Sequence, residues 1–279
     1  MTESSLVERV AVLADGWGVR VDELRETPSS VIAFGGRASE HVVLKVVKRA
    51  GDEWRCGEVL SAFASMGVVR VHEYTEGAVL MERLSPGSSL IPIVVRGRET
   101  DATTILAKVI AEMSPHVPPA QCPTIEAWGR GFQWYRENGG GSIPISLLDA
   151  AEATYAEQCR TQRSPRLLHG DLQHSNILFD DARGWTAIDP KGVVGELAYE
   201  AGALFRNPHE TPELLVDPSV IASRANVLHS MLGLDPTRVL RWSFAQAVLS
   251  AIWCIQDGEP ALATTRSLAV AAAIQRILH

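Results

Sequence analysis

The spacing of apolar residues changes part-way along the chain. Leu6, Val7, Val10 and Leu13 recur at helical spacing between residues 4 and 14, where Ser5 and Glu8 fit a capping box. Gly16 and Gly18 end that helix. From residue 19 the pattern shortens to β-branched runs. Val19-Arg20-Val21, Val31-Ile32-Ala33-Phe34 and residues 41–47 are expected as strands, with Gly35-Gly36-Arg37 as the turn before the third. Residues 52–65 return to a helical pattern, and residues 68–71 and 78–81 add two strands. The stretch Glu82-Arg83-Leu84-Ser85-Pro86-Gly87 loses periodicity and is expected as a hinge. Beyond it the helical period dominates, with helices expected at 103–113, 125–138, 147–162, 197–205, 218–232, 237–254 and 260–278 and a proline-rich spacer at 115–119. The pattern predicts an α+β protein: a strand-rich region over residues 1–84 and a mainly helical one over 85–279.

One stretch of the helical region keeps a strand pattern. Ile177-Leu178-Phe179 and Thr186-Ala187-Ile188 read as a hairpin with its turn at residues 180–184. The sequence HGDLQHSN, His169 to Asn176, leads into it, and Asp189 closes it. Asp171 and Asn176 have the spacing of the kinase catalytic loop, and the hairpin would bring Asn176 beside Asp189 at its open end. Phosphoryl transfer is mostly positioning and charge stabilisation. Magnesium takes hard oxygen ligands and keeps some waters, so Asn176 and Asp189 suffice as protein ligands. Asp171, off the metal, would align the attacking hydroxyl.

The strand region supplies matching candidates. Lys45 sits in VVLKVV, where a buried charge requires a partner. Its expected role is to contact the phosphates of ATP, held by a helix glutamate. Glu53 and Glu58 are the candidates, with Glu58 favoured because it precedes the apolar Val59, Leu60 and Phe63. Ser29 and Ser30 would serve the phosphates, since the connection before the second strand lacks G-x-G-x-x-G. An adenine ring would bond the backbone around Glu82 and Leu84.

Composition narrows the partners. The 279 residues are 46% hydrophobic and 21% charged, ordinary for a soluble globular protein. A formal net charge of −7 argues against nucleic acid and suits a small cation. No window approaches a membrane span, the N-terminus lacks a secretory pattern, and the four cysteines form no C-x-x-C. These features predict a cytoplasmic protein with reduced thiols.

HGDLQHSNILF followed by AIDPKGVVGELAYEAGALFRNP resembles the aminoglycoside phosphotransferase family, within its streptomycin 6-kinase and hydroxyurea phosphotransferase branch. The resemblance extends from about residue 18 to 275 and implies a protein-kinase-like bilobal fold. It implies Asp171 as the catalytic carboxylate, Asn176 and Asp189 on Mg²⁺, Lys45 on ATP and His169 as a brace of the loop. It also implies a hydroxyl of a small cationic antibiotic, streptomycin above all, as acceptor; the chain itself is expected to be a monomer. Streptomycin's guanidinium groups call for carboxylates. The candidates are Glu196, Glu200 and Asp257, with Asp217 and Glu259 as further acids and Trp253 as a pocket wall. Three other readings stand beside this one: a kinase of another small molecule such as hydroxyurea or a sugar-like metabolite, a dead nucleotide-binding module, and a metal phosphohydrolase using His169, Asp171, His174 and Asp189.

Overall fold

The computed structural model describes residues 3–113 and 118–279, with side chains from residue 6 onward. The Ser5 side chain, hence the capping box, and most of the 115–119 spacer lie outside the described residues. Helix α1 (Glu3–Gly16) precedes strands β1 (Arg20–Glu26), β2 (Ser30–Arg37) and β3 (Glu40–Val47). A 3₁₀ turn (Asp52–Arg55) leads into the short helix α2 (Cys56–Ala62), followed by β4 (Val71–Thr75) and β5 (Ala78–Glu82). The five strands form one antiparallel sheet in the order β1-β2-β3-β5-β4.

Strand alternation gives this sheet two different faces. Val42, Leu44 and Val46 of β3 turn to α1, where Leu6, Val10 and Ala14 cover them. Val7, expected on the buried face of α1, is 47% exposed instead. Val43 and Lys45 alternate onto the opposite face, beside α2. There Val59, Leu60 and Phe63 pack with Val79 and Met81. Gly35-Gly36-Arg37 does not turn the chain: all three continue β2, and the turn falls at Ala38-Ser39. A Cβ on Gly35 would meet the Arg20 carbonyl oxygen at 2.1 Å, so glycine here permits close strand approach beside the β1–β2 bulge. Most of β1 is polar and exposed, as an edge strand can be, which conceals its length in the sequence.

The remaining elements are β6 (Pro86–Ser89), α3 (Ile91–Val95), α4 (Glu99–Glu112), α5 (Ile125–Asn138), α6 (Ile145–Arg160) and β7 (Arg166–Leu168), then β8 (Ile177–Asp180), β9 (Gly184–Ala187) and β10 (Val193–Gly195), then α7 (Gly202–Phe205), α8 (Pro218–Leu232), α9 (Pro236–Gln256) and α10 (Ala261–Leu278). Strands β6, β8 and β9 form a second sheet, and β7 pairs with β10. The β8–β9 pairing sets Ile177 opposite Ala187. A parallel bridge from Val68 to Ala187 joins this hairpin to the first lobe. Helix α9 is buried on almost every side, including Trp242, Phe244, Val248 and Ile252, with α6 and α10 flanking it. The segment expected as a helix from 197 to 205 is a 3₁₀ turn (Leu197–Ala201) continuing into one turn of α7.

The architecture is a mixed α+β fold of two lobes: an antiparallel sheet with α1 and α2 above, and a helical body carrying the β8–β9 hairpin below.

Candidate active site

The polar loop His169–Asn176 is tied down from three sides. The Nδ1 atom of His169 accepts from the Asp171 N–H at 3.3 Å, which leaves Nε2–H to donate to the Ile188 carbonyl at 2.8 Å. Burial lowers this imidazole to about 4, so it is a neutral brace. The Asn176 amide donates to the Asp171 carbonyl at 2.8 Å and approaches Asp171 Oδ2 at 3.4 Å. Below, Glu200 is 3% exposed and accepts from the N–H groups of His169 at 2.7 Å and Gly170 at 2.9 Å. Gly170 has φ +79°, and a Cβ there would lie 2.8 Å from the Trp128 ring, so both backbone and space require glycine. Burial raises the Asp171 carboxyl above the usual range, although Lys191 and Arg206 pull it back.

Asp189 follows the hairpin with φ 59°, a left-handed conformation rare outside glycine. Its Oδ1 accepts from Lys45 Nζ at 2.7 Å, and the same ammonium meets Glu53 Oε2 at 2.7 Å. Lys45 is 1% exposed. Burial opposes its charge, but Asp189 and Glu53 outweigh burial and hold its pKa above the ordinary lysine value. The partner is therefore Glu53, not Glu58. Residues 52–55 form a 3₁₀ turn before α2 begins, which aims Glu53 into the cleft. Glu58 lies on the other side, where its charge acts on the Cys122 thiol. The Ser29 hydroxyl donates to Glu53 at 3.2 Å, whereas Ser30 is 2% exposed and bonds Thr27.

A cavity of about 560 Å³ opens between the lobes. Ile32, Val43 and Met81 form its roof, Leu178 and Ile188 its floor, and Lys45 and Asp189 its inner end. The hinge residues Glu82 and Leu84 line its rear. The Glu82 side chain is occupied, accepting from the Arg70 N–H at 2.8 Å and from Arg183, so only its backbone can face a ligand. The Leu84 N–H donates to no protein acceptor among the described residues.

The model of the aminoglycoside/hydroxyurea antibiotic resistance kinase family matches residues 19–258. The chain belongs to this family. It is 33% identical to a streptomycin 3''-kinase of Klebsiella pneumoniae over 264 residues, 90% of this chain and 92% of that one. It is 28% identical to a hydroxyurea phosphotransferase of Kitasatospora aureofaciens, covering 94% and 77%, and 26% identical to a streptomycin 6-kinase of Streptomyces griseus, covering 97% and 87%. Its fold matches that of the aminoglycoside phosphotransferase APH(4)-Ia solved with ADP and hygromycin B, at TM-score 0.63, 17% identity and coverage of 94% and 97%. The chain is thus a phosphotransferase with an alcohol group as acceptor.

In this kinase two of the carboxylates expected to bind substrate are already occupied. Glu196 is 5% exposed; it accepts from Arg238 Nε at 2.6 Å, from the Trp242 indole N–H and from the Arg163 N–H at 3.3 Å. Glu200 holds the His169–Asn176 loop. Neither offers a free oxygen to a guanidinium, because the segment packs against α9 rather than presenting a solvated helix face. Asp257 is exposed at the end of α9, and Trp253 is half-buried with its ring edge-on to Trp128 at 5.6 Å. Asp217 caps α8 through the N–H groups of Ser219 and Val220.

The residues missed in the sequence are Arg206 and Lys191, and Trp128 reads there only as core or pocket wall. Trp128 contacts Gly170 of the catalytic loop, yet its helical spacing is that of ordinary core. Arg206 and Lys191 stand in the R-N-P and D-P-K segments but carried no assigned role. For a metal, Asn176 and Asp189 offer an amide oxygen and a carboxylate whose Oδ2 accepts nothing from the protein among the described residues. These hard donors fit Mg²⁺. No group of three His, Cys, Asp or Glu side chains is placed to hold a metal among the described residues, which leaves the phosphohydrolase reading without a ligand set.

Proposed function

We propose that this kinase transfers the γ-phosphoryl group of ATP to a hydroxyl of streptomycin. The observation that carries the reading is that Lys45, paired with Glu53, meets Asp189 at the inner end of one interlobe cavity, while Asn176, bonded through its carbonyl to the Ile188 N–H, ties Asp171 in beside them. The cavity suits an adenine ring, with the Leu84 N–H as hinge donor. Lys45 then contacts the phosphates with Glu53 and Asp189 fixing its position. Asn176 and Asp189 would hold magnesium, which when bound neutralises charge on the β- and γ-phosphates. Asp171 orients the acceptor hydroxyl and takes its proton as the new O–P bond forms. The bond from Pγ to the bridging oxygen breaks, and ADP keeps the electron pair. The raised pKa of Asp171 improves it as a base. Family relatives named for streptomycin support the acceptor. A phosphoryl group adds about −1.5 to −2 charge to this polycation and spoils its fit to anionic targets, which gives resistance.

We propose the 6-hydroxyl, the position named for two streptomycin kinases among the relatives. The 33% identity to a 3''-kinase favours that position as a second reading, and the hydroxyurea phosphotransferase favours a different small acceptor as a third. A panel of streptomycin, hydroxyurea and hygromycin B, with Mg·ATP and coupled ADP detection, separates them. Streptomycin-dependent ADP release with a 6-phosphate product by NMR supports the proposal; turnover on another acceptor alone refutes it.

A further inference from the structure

Phosphoryl transfer is accelerated by fixed cations around the equatorial oxygens of the moving group. Lys45 is committed to Glu53 and Asp189. The catalytic loop has no cation of its own; two residues past Asp171 it carries Gln173, whose amide oxygen accepts from the Ser175 N–H at 3.2 Å. Another cation is anchored beside this loop from a different segment.

Lys191 follows Asp189 by two residues. Its N–H and that of Gly192 both donate to the His169 carbonyl at 3.0 Å, which pins this segment to the catalytic loop. Gly192 has φ +77°, and a Cβ there would meet Val59 at 2.5 Å, so the backbone passes tightly under α2 and fixes the position of its neighbour. The Lys191 side chain is half-buried and lines a cavity of about 300 Å³ with Trp128, Arg55 and Val59. No carboxylate lies within ion-pair distance of it among the described residues. Its charge acts on Asp171 in the floor of the site and on Glu53 in the roof. That cavity adjoins the loop through Trp128, which lies against Gly170, so the ammonium is held beside the His169–Asn176 loop.

We propose that Lys191 is a catalytic residue that contacts the γ-phosphoryl oxygens as they leave ADP, doing from the D-P-K segment what a lysine in the loop would do. This rests on the ATP reading above but not on streptomycin as acceptor. The step itself is unchanged: the acceptor oxygen bonds to Pγ, the bridging oxygen leaves with its electron pair, and the proton goes to Asp171. Lys191 exchanges nothing and only offsets charge.

The test compares Lys191→Met, which keeps length and removes charge, with Lys191→Arg, which keeps charge. Three quantities are measured: kcat with an acceptor, kcat for slow Mg·ATP hydrolysis with water as acceptor, and Kd for ADP. Expected is a loss of about 10²-fold or more in both kcat values for Lys191→Met, with the ADP Kd within about threefold of wild type and at least tenfold recovery in Lys191→Arg. Both kcat values within about threefold of wild type overturn the proposal. So does a loss of ADP affinity as large as the loss of rate. If streptomycin fails as acceptor but hydrolysis by water falls as stated, Lys191 keeps its role and only the acceptor is wrong.

Discussion

Replacing Glu200 by glutamine tests how the catalytic loop is held. This carboxylate is 3% exposed and holds two loop N–H groups at 2.7 and 2.9 Å. Burial raises its pKa from 4.5 to about 7; the N–H groups of Gly170 and His169 pull it down, and Asp171 adds to the rise. The folded value lies above the unfolded one. The stabilisation tied to this group is therefore fully present below about pH 4.5 and is lost as pH rises through about 7. At about 1.4 kcal/mol per pH unit, that amounts to roughly 3 kcal/mol. Glutamine does not titrate. In urea unfolding, the stability of wild type relative to Glu200→Gln should fall by roughly 3 kcal/mol between pH 4.5 and pH 8, about 1 M in midpoint. Activity moves the other way, because glutamine has one acceptor oxygen for two donors. The lost bond is worth about 1–3 kcal/mol, and if it is felt at the transition state kcat falls about 10- to 100-fold. Parallel stability profiles would refute the burial reasoning, and an unchanged kcat would refute the role in holding the loop.

Three further outcomes follow from the same geometry. Glu53→Gln should lower kcat/KM for ATP by about tenfold or more, since it removes one of two partners from a buried lysine, while Glu58→Gln stays within about twofold; steady-state kinetics with varied ATP read both. Gly170→Ala should cost about 1–3 kcal/mol of backbone strain and displace Trp128, seen as a lower Tm together with a higher KM for the acceptor. Glu196→Ala should destabilise by about 3 kcal/mol, because Arg238 and the Trp242 indole lose their acceptor. Denaturation measures that loss, and a stability equal to wild type would return Glu196 to the list of substrate ligands.

The geometry of the His169–Asn176 loop was legible because it is local. The β8–β9 pairing brings Asn176 beside Ile188 and Asp189, and the Asn176 amide, five residues on from Asp171, bonds back to it. The long helices were legible for a similar reason: a proline start and an aspartate cap bound α8 and α9. What escaped depends on distant packing. Glu53 and Glu58 differ only in where the 3₁₀ turn passes into α2, a boundary that periodicity does not fix. Glu196 and Glu200 read as carboxylates open to substrate because the sequence does not reveal that α9 lies against them. Lys191 has no periodic signal at all; its position is set by two hydrogen bonds to His169 and by the glycine after it. Strands β6, β7 and β10 are three or four residues long and leave no alternation to detect.

The most direct test of the central claim is mass analysis of streptomycin after incubation with Mg·ATP and either wild-type protein or Asp171→Ala. Expected is one added phosphoryl group per antibiotic with wild type, and a yield reduced about 10²- to 10⁴-fold with Asp171→Ala although that variant still binds ADP. Unmodified streptomycin from the wild-type reaction, or equal phosphorylation by both proteins, would contradict it.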